Sequence, residues 1–274
     1  MTVPVGPARP APTEVPVLAI TAVTAGYGRT TVLRDVNVTV PSGRVVALLG
    51  SNGAGKTTLL RVAAGLLRPA SGTVSIHGVD VTRRPPYQRA RQGLSIVPEG
   101  RGIFRGMTVR DNLMIGRGRA GRGDRLAPTI DLFPELSPHL AQVAGTLSGG
   151  QQQMLSLARC YLADPSLMLL DELSMGLAPI VIDKIYSRIA ELARTGTAVL
   201  LVEQYIHRAL QMAELVYVLE RGRVAVSGTA EEMRDHDMMS RYLGASAEMS
   251  DLAPTGPAPA GPAGDGGPEG ETNP

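Results

Sequence analysis

The sequence predicts an α/β fold in which a parallel sheet is covered by helices on both faces. Unbroken apolar runs bounded by turns or helical patterns are typical of buried parallel strands. Four such runs occur, one of which is interrupted by Ser95: Val45–Leu49, Leu94–Val97, Leu167–Leu170 and Ala198–Val202. Between the last two, apolar residues from Ile182 to Leu192 recur at the spacing of one helix face. Strands that alternate with helices in this way predict a sheet covered on both sides.

Other segments predict antiparallel strands and a helical insertion. Val36–Val40 alternates apolar and polar residues as a half-buried strand does, and Thr73–His77 is a similar run that Gly78 ends. An arginine- and glycine-rich stretch over residues 101–125 interrupts the strand–helix alternation, and helical patterns follow as far as Leu162. We therefore expect an antiparallel β subdomain beside the core sheet, and a helical subdomain inserted at about residues 100–162.

The 274-residue chain is long enough to bury a large core, and both of its ends are rich in proline. Residues 1–16 contain five prolines, and residues 251–274 contain six prolines, six glycines and four acidic groups. Such segments bury too little apolar surface to offset the entropy lost on ordering. We expect a flexible leader over residues 1–16, a folded domain over 17–244 and a disordered acidic tail over 245–274.

Composition argues against several classes of function. The net charge of +2 gives no electrostatic reason to expect a nucleic-acid partner. With no Trp, 7 Tyr and 2 Phe, the chain lacks rings for the stacking platforms of single-strand binders. One cysteine, Cys160, forms neither an internal disulfide nor a thiolate zinc site, and we expect it to be a packing residue. The apolar runs are far shorter than the roughly 20 residues that cross a bilayer, which indicates a soluble protein.

The strongest motif is a glycine-rich loop directly after the first apolar run. Its pattern is G-x-x-x-x-G-K-[ST], formed by Gly50, Ser51, Asn52, Gly53, Ala54, Gly55, Lys56, Thr57 and Thr58. Glycines let backbone N–H groups converge on an anion, and we expect the following helix, Thr57–Leu67, to point its positive end there. The motif predicts that Lys56 reaches the β- and γ-phosphates of a nucleoside triphosphate, and that the Thr57 hydroxyl binds Mg²⁺.

A pair of acidic residues follows the third apolar run. Ligands of such sheets bind at the carboxyl ends of the strands, and Asp171 and Glu172 come directly after Leu167–Leu170. We expect Asp171 to hold Mg²⁺ through water and Glu172 to orient or deprotonate the attacking water. An acidic turn after a buried strand is by itself more often merely solvated. The phosphate loop is what favours the catalytic interpretation.

A second anion site is predicted within Leu147–Gln153, whose sequence is LSGGQQQ. Ser148 and Gln151 have capping-box spacing, so we expect a helix to start here and continue through Ala158. Ser148, Gly149 and Gly150 then present a hydroxyl and bare backbone amides at a helix N-terminus. Since one nucleotide does not need two phosphate sites in one chain, the pattern predicts a head-to-tail dimer. In it, each nucleotide lies between the loop of one chain and the helix end of the other.

Together these motifs make the segment from Val17 to Gly244 resemble the ATP-binding subunits of ABC transporters. LSGGQ lies about twenty residues before Asp171-Glu172, as it does in that family. Further segments are similar to the ATPases of LIV-type, branched-chain amino acid importers: Val97–Arg101 (VPEGR), Ser174–Pro179 (SMGLAP) and Leu201–Gln204 (LVEQ). The resemblance implies a P-loop NTPase core of the ABC ATPase type, with a mixed sheet, an antiparallel β subdomain and an inserted helical subdomain.

Carried over residue by residue, the resemblance implies further roles. Tyr27 matches the ring that stacks on adenine, and Glu99 matches the position that senses Mg²⁺ and contacts the permease. Gln204 matches the position that contacts the γ-phosphate, where a glutamine donates a hydrogen bond but carries no positive charge. Leu173 and Ala178 depart from a proline and an aspartate common in the family, and neither change removes a group that performs chemistry.

The implied function is that of an ATPase which uses ATP and Mg²⁺ to energise an importer from the cytoplasmic face of the membrane. The implied partners are transmembrane permease subunits, a second related ATPase subunit and, indirectly, a substrate-binding protein, but no nucleic acid. The implied cargo is a branched-chain or other hydrophobic amino acid, with urea or short amides as the main alternative.

Two other classes stay open. An ATPase of iron–sulfur cluster assembly fits by size, but it fits the VPEGR and GLAP segments less well. A regulatory subunit with little turnover is suggested by Leu173 and Gln204. Hydrolysis that vanishes in a Glu172→Gln variant would exclude it.

Overall fold

Two sheets form the framework of the structure, a computed structural model that describes residues 15–116, 125–203 and 206–234. Within these residues the strands are β1 (Leu18–Tyr27), β2 (Thr30–Val40), β3 (Val45–Leu49), β4 (Ser71–Ile76), β5 (Val79–Asp80), β6 (Leu94–Val97), β7 (Leu167–Asp171), β8 (Ala198–Val202), β9 (Leu215–Glu220) and β10 (Arg223–Thr229).

Helices connect and cover these strands. They are α1 (Lys56–Ala64), α2 (Pro86–Ala90), α3 (Val109–Gly116), α4 (Leu126–Leu132), α5 (Gly149–Leu162), α6 (Pro179–Arg194), α7 (Ile206–Met212) and α8 (Ala230–Met233), with 3₁₀ helices at Pro134–His139 and Ala144–Thr146. The described chain is therefore helical through most of the segment predicted to be a helical insertion. No helix among the described residues has both the length and the apolarity to cross a bilayer.

The core sheet has six strands in the order β10-β9-β3-β8-β7-β6. The strands from β9 to β6 are parallel, and β10 pairs antiparallel to β9 at one edge. All four predicted strands are confirmed, although β6 lies at the sheet edge and is only partly buried, and β7 extends one residue further to include Asp171. Parallel strands end together, so the carboxyl ends of β3, β6, β7 and β8 meet at one edge, where the predicted site residues follow them.

Apolar layers cover both faces of this sheet. Side chains alternate along β3: Val45, Ala47 and Leu49 pack with the helices on one face, while Val46 and Leu48 pack with α1 and the second sheet on the other. Burial of one such Val or Leu side chain stabilises a fold by roughly 1.5–3 kcal/mol. The loops that follow the strands are thus held by a core on both sides.

The second sheet is antiparallel, in the order β2-β1-β4-β5. The predicted strands Val36–Val40 and Thr73–His77 are confirmed as parts of β2 and β4, although β4 ends at Ile76. β1 was not predicted because its alternation is broken: its pairing with β2 shifts register between Ile20 and Val23, where Ala22 has a φ of 51°. A bulge of this kind interrupts the two-residue period that indicates a strand.

The structure corrects the ends of two predicted helices. The helix predicted over Thr57–Leu67 ends at Ala64, because Gly65 adopts a left-handed C-cap with a φ of 77°. The buried Arg89 guanidinium closes this end by donating to the carbonyls of Val62 and Ala63, each at 2.7 Å. The helix predicted to run through Ala158 continues to Leu162, which is buried in the same core.

Candidate functional site

The glycine-rich loop between β3 and α1 is shaped by backbone angles that favour glycine. Gly50 has a φ of 153°, and a Cβ there would lie 2.3 Å from the Leu219 carbonyl oxygen. Gly55 has a φ of 110° and is the N-cap of α1, so no side chain caps that helix. The first N–H groups of α1 therefore remain available to bind an anion.

Lys56 lies inside the curl of this loop. Its side chain is only 4% exposed, and its ammonium Nζ donates to the carbonyls of Gly50 at 2.9 Å and Ser51 at 3.2 Å. The Nζ atom also lies 3.6 Å from Oε1 of Glu172. A charge buried this deeply is normally paired, and the loop carbonyls and the carboxylate provide that pairing.

Asp171, at the end of β7, faces the start of α1. The Thr57 hydroxyl donates to its Oδ1 at 3.4 Å. Burial, aided by the carboxylates of Glu172 and Glu99, raises the pKa of Asp171 to about 6, although the Thr57 hydrogen bond and Lys56 oppose the rise. Glu99 is exposed two residues after the end of β6, which runs parallel to β7, so it follows the same edge of the sheet.

A strained backbone conformation orients the side chain of Glu172. Its φ is 47°, which is rare for a residue other than glycine, and its N–H donates to the Val202 carbonyl at 3.0 Å. The turn directs the carboxylate to Lys56. Leu173, where a proline was expected by family resemblance, is 1% exposed and packs into the core. Ala178 is the N-cap of α6 and provides no side-chain cap.

The structure reveals one buried carboxylate that the sequence did not identify as functional. Glu203, directly after β8, is 1% exposed, and its two oxygens accept from the Ser174 N–H at 3.3 Å and from the Ser174 hydroxyl at 2.6 Å. This pair ties the loop that follows Glu172 to the end of β8. Its position after a buried strand, like that of Asp171, was the available signal. Gln204, the next residue, lies outside the described residues.

Tyr27 ends β1 beside the phosphate-loop helix. Its ring is 44% exposed, and its hydroxyl accepts from Nη1 of Arg61, on α1, at 3.1 Å. The structure therefore brings the predicted adenine-binding ring to the same helix that begins at Lys56. A ring with this exposure has surface available for stacking.

The second predicted anion site, Ser148–Gln151, has the expected capping box. The Ser148 hydroxyl accepts from the Gln151 N–H at 3.3 Å, and the Ser148 N–H donates to Oε1 of Gln151 at 2.9 Å. A Cβ on Gly150 would lie 2.6 Å from Cγ1 of Val181, so α5 approaches α6 closely at this point. Among the described residues no hydrogen bond joins this segment to the phosphate loop.

The loop that follows β6 and contains Glu99, Arg101 and Gly102 is the Glu99 loop. Hydrogen bonds attach it to α5, and the sequence did not predict this attachment. Nη1 of Arg101 donates to Oε1 of Gln152 at 2.7 Å, the Ser156 hydroxyl donates to the Arg101 carbonyl, and Arg159 donates to the Gly102 carbonyl. Gln152, Ser156 and Arg159 share one face of α5. A movement of the Glu99 loop must therefore displace this helix or break these bonds.

The donors at the sheet edge fit a magnesium ion that is brought in by a nucleotide. Hydroxyl and carboxylate oxygens are the ligands that Mg²⁺ prefers, and it usually takes only one or two carboxylates together with substrate phosphates. Thr57 and Asp171 are such a pair. The described ranges contain no group of three or more His, Cys, Asp or Glu side chains that could hold a metal ion.

These features define a class of protein. A glycine-rich loop with a buried lysine, a neighbouring Thr–Asp pair and a carboxylate 3.6 Å from the lysine form a P-loop site for a nucleoside triphosphate. The sheet that carries this site is the mixed α/β sheet of such proteins.

Comparison with known proteins defines the family. The sequence profile of the ABC transporter family matches residues 33–174. The chain is 40% identical over 231 residues to the high-affinity branched-chain amino acid transport ATP-binding protein BraG of Pseudomonas aeruginosa, covering 83% of this chain and 99% of that protein. It is 36% identical over 221 residues to a probable branched-chain amino acid transport ATP-binding protein, LivF, of Archaeoglobus fulgidus, covering 79% and 94%.

Similarity extends to other transport systems and to solved structures. The lipopolysaccharide export ATP-binding protein LptB of Escherichia coli is 34% identical over 221 residues, covering 78% of this chain and 91% of that protein. A solved ATP-binding subunit of an ABC transporter has a TM-score of 0.72 at 29% identity, covering 80% and 92%. The chain belongs to the ABC transporter family, as an ATP-binding subunit that hydrolyses ATP.

Proposed function

We propose that this chain energises an ABC importer of branched-chain or other hydrophobic amino acids from the cytoplasmic face of the membrane. The observation that carries the catalytic part is Lys56, buried in the loop and 3.6 Å from the Glu172 carboxylate. The importer part is supported by the similarity to BraG over 99% of that protein's length.

Nucleotide binding uses groups that the fold has already oriented. The N–H groups of the loop Gly50–Thr58 and the first turn of α1 bind the phosphates, and Tyr27 stacks on the adenine. Lys56 exchanges the carbonyls of Gly50 and Ser51 for oxygens of the β- and γ-phosphates. That exchange costs little, because a charged acceptor replaces neutral ones at the same ammonium group.

Thr57 and Asp171 would hold Mg²⁺, with Glu99 nearby. When bound, the ion would neutralise charge on the phosphates during transfer. Its positive charge would also offset the repulsion among the carboxylates at this edge, and so favour ionised Asp171. The protein's own contribution is to keep these oxygens at the end of β7 and the start of α1.

Hydrolysis is assigned to Glu172, Lys56 and Gln204. Glu172 accepts a proton from the attacking water, a role that requires a carboxylate aimed into the site, and its left-handed backbone provides that aim. Lys56 stabilises the charge that develops on the transferred group. We assign Gln204 a hydrogen bond to the γ-phosphate, by its position after Glu203.

The second anion site completes the catalytic unit in a head-to-tail dimer. Ser148, Gly149, Gly150 and Gln151 of one chain would bind the nucleotide held by the phosphate loop of a second, related ATPase chain. The Glu99 loop and the helical segment over residues 100–162 would contact transmembrane permease subunits. The bonds from Arg101, Ser156 and Arg159 give a physical connection between the permease contact and the helix that touches the partner's nucleotide.

The test is affinity purification from the native membrane with a Glu172→Gln variant in MgATP, which removes the base and traps the closed dimer. We expect two polytopic permeases and a second ABC ATPase to be recovered. Recovery of soluble cluster-assembly proteins without a membrane subunit would overturn the importer proposal. The parallel wild-type ATPase assay excludes the low-turnover regulatory alternative if hydrolysis is measurable and absent in Glu172→Gln.

Lipopolysaccharide export is a second candidate, because the relatives named for it reach 36% identity, the same value as LivF. The same purification separates the two functions by the membrane subunits recovered. For an importer, the substrate-binding protein encoded with those subunits then identifies the cargo. Binding of leucine or isoleucine supports the proposal, and binding of urea or short amides instead corrects it.

A further inference from the structure

His139 lies between two glutamines beside the second anion site. It is the last residue of the 3₁₀ helix Pro134–His139. Its Nδ1 is 2.7 Å from Oε1 of Gln142, and its Nε2 is 2.9 Å from Nε2 of Gln151, the residue that closes the capping box with Ser148. Both ring nitrogens are therefore within hydrogen-bond distance of an amide group.

The direction of each hydrogen bond follows from its neighbours. Oε1 of Gln151 accepts from the Ser148 N–H, so the Nε2 amide group of Gln151 is the one that faces His139. An amide nitrogen only donates, and Nε2 of His139 must therefore accept. A neutral ring that accepts at Nε2 carries its proton at Nδ1, and this N–H donates to Oε1 of Gln142.

The hydrogen bonds beyond Gln142 run in the same donor-to-acceptor direction. Its Nε2 group donates to the Thr146 hydroxyl oxygen at 2.8 Å, and that hydroxyl donates to the Val143 carbonyl at 2.8 Å. We name this set of five hydrogen bonds, which joins Ser148, Gln151, His139, Gln142, Thr146 and Val143, the signature relay. Every donor in the relay meets one acceptor, and no member is charged.

Only a neutral His139 satisfies the relay. A doubly protonated ring would place an N–H at Nε2 against the amide N–H of Gln151. If the Gln151 amide turned over to accept from the ring, its nitrogen would face the Ser148 N–H instead. Either arrangement brings two donors together: the first loses the hydrogen bond between His139 and Gln151, and the second loses the Ser148 N–H bond that caps α5.

We propose that His139, held as the neutral Nδ1–H tautomer, is a positioning residue for the second anion site. It fixes the rotamer of Gln151, which closes the capping box and leaves the N–H groups of Gly149 and Gly150 without an intrahelical acceptor in the first turn of α5. Those two amides then face the partner's nucleotide in a fixed direction. The inference rests on the proposed ATP-bound dimer and deepens it.

Three substitutions test this role by ATPase assay of the complex purified from the native membrane, in which this chain is paired with the second ATPase. In His139→Gln the side-chain amide reaches the place of Nε2 and accepts from Gln151. His139→Asn reaches only the place of Nδ1, so it keeps the Gln142 bond and loses Gln151, while His139→Ala loses both. We expect kcat to fall about tenfold in the Asn and Ala variants and to stay near wild type in the Gln variant, since small displacements of catalytic groups cost up to about a hundredfold.

The readouts separate positioning from mere stability. Affinity of the isolated chain for a fluorescent ATP analogue should be unchanged in all variants, because the phosphate loop is intact. The matched control is His77→Asn: His77 lies at the end of β4, hydrogen-bonded to the Ser166 hydroxyl at 2.8 Å, and its loss should leave kcat unchanged. Wild-type kcat in His139→Asn, or an equal loss in His139→Gln, would overturn the inference.

Nitrogen NMR of the histidine-labelled chain measures the tautomer directly. The chain has 4 His, and the spectrum of His139→Gln identifies the signal that belongs to residue 139. We expect a protonated Nδ1 and an unprotonated Nε2; the opposite tautomer or a cationic ring overturns the relay. If the wild-type complex hydrolysed no ATP, the proposed function would fail, and the tautomer measured in the isolated chain would still decide the relay.

Discussion

The phosphate loop and the second anion site, Ser148–Gln151, are both helix N-termini that we propose to bind phosphate, yet they are organised in opposite ways. The phosphate loop depends on charge: Lys56 is buried at 4% exposure, and Asp171 and Glu172 lie beside it. The second site depends on neutral hydrogen bonds, from the capping box to His139. Buried charges cost free energy unless they are paired, whereas a neutral network with every donor satisfied does not. The hydrogen bonds of the second site are therefore complete without a ligand, whereas Asp171 at the phosphate loop is buried beside like charges that a bound cation would offset.

The glycines of the two sites also serve different physical needs. Gly55 in the phosphate loop has a φ of 110°, so its backbone conformation excludes most side chains. Gly150 has a helical conformation, and what excludes a side chain there is Val181, 2.6 Å from an added Cβ. A glycine required by conformation cannot be replaced without strain, whereas a glycine required by contact can be replaced if the neighbour is reduced.

The largest effect is expected from Glu172→Gln, which changes only the charged site at the phosphate loop. Glu172→Gln keeps the size of the side chain and removes its capacity to accept a proton. We expect kcat for ATP to fall by about a thousandfold, within the range of 10² to 10⁴ that a general base contributes. Steady-state ATPase assays and equilibrium ATP binding measure the two parts separately, and binding should be retained.

The matched control for this change is Glu191→Gln, on an α6 side chain that is 43% exposed. It should leave turnover unchanged. If Glu172→Gln retained most of its turnover, the base would have to be another group, and the charged site would serve binding rather than proton transfer.

The second largest effect is expected from Gly150→Ala, which disturbs the neutral site, Ser148–Gln151, through a steric contact. Gly150→Ala forces α5 away from α6, and we expect kcat to fall about tenfold with ATP affinity unchanged, because a shift of less than 1 Å at a catalytic group costs up to about a hundredfold. Val181→Ala removes the methyl groups in the way. The double variant should recover most of the turnover, with Val181→Ala alone as the control.

This rescue distinguishes contact from conformation. Equal losses in Gly150→Ala and in the double variant would mean that Gly150 is needed for its backbone or for its direct approach to nucleotide. Full turnover in Gly150→Ala would mean that α5 can shift freely, and the neutral site would then not depend on its packing against α6.

The fold followed from the sequence where burial alone determines an element. β3, β6 and β8 begin and end as predicted, because mainly apolar runs between turns leave few alternatives. β1 was missed because its bulge at Ala22 breaks the alternation of side chains. The end of α1 was placed too late, although Gly65, a residue type common just after a helix, was a local signal for it. β9 and β10 were not predicted as strands.

The residues of the candidate site were likewise predictable in part: the local motifs were found from the sequence, and the contacts between distant residues were not. The phosphate loop, the pair Asp171-Glu172 and the capping box are local motifs, and spacing within a few residues is enough to find them. The contacts of Arg101 with Gln152, Ser174 with Glu203 and Gln151 with His139 join residues 51, 29 and 12 positions apart. Such pairs exist only after the elements pack, and no spacing rule in one sequence predicts them.

The smallest effect is expected from Asp171→Asn, which tests whether the buried carboxylate at the phosphate loop lowers the stability of the fold. Burial and the neighbouring carboxylates raise the pKa of Asp171 from its ordinary value of 3.8 to about 6. Between these values the folded chain holds a proton that the unfolded chain has released, so the free energy of unfolding falls as pH rises from about 4 to about 6. Above about 6 the penalty is complete. Asp171→Asn removes it while keeping an oxygen that accepts from Thr57.

We therefore expect Asp171→Asn, without nucleotide or Mg²⁺, to be more stable than wild type at neutral pH by about 1 kcal/mol, or roughly 2–4 °C in Tm. The gain should fade below about pH 6 and be absent near pH 4, and Mg²⁺ with ATP should stabilise wild type more than the variant. Thermal unfolding across pH measures this, with the exposed Asp131→Asn as a control that shows no such gain. A variant less stable than wild type at neutral pH would mean that the Thr57 hydrogen bond and Lys56 outweigh repulsion. The phosphate loop would then be complete before its ligand binds, as the second site is.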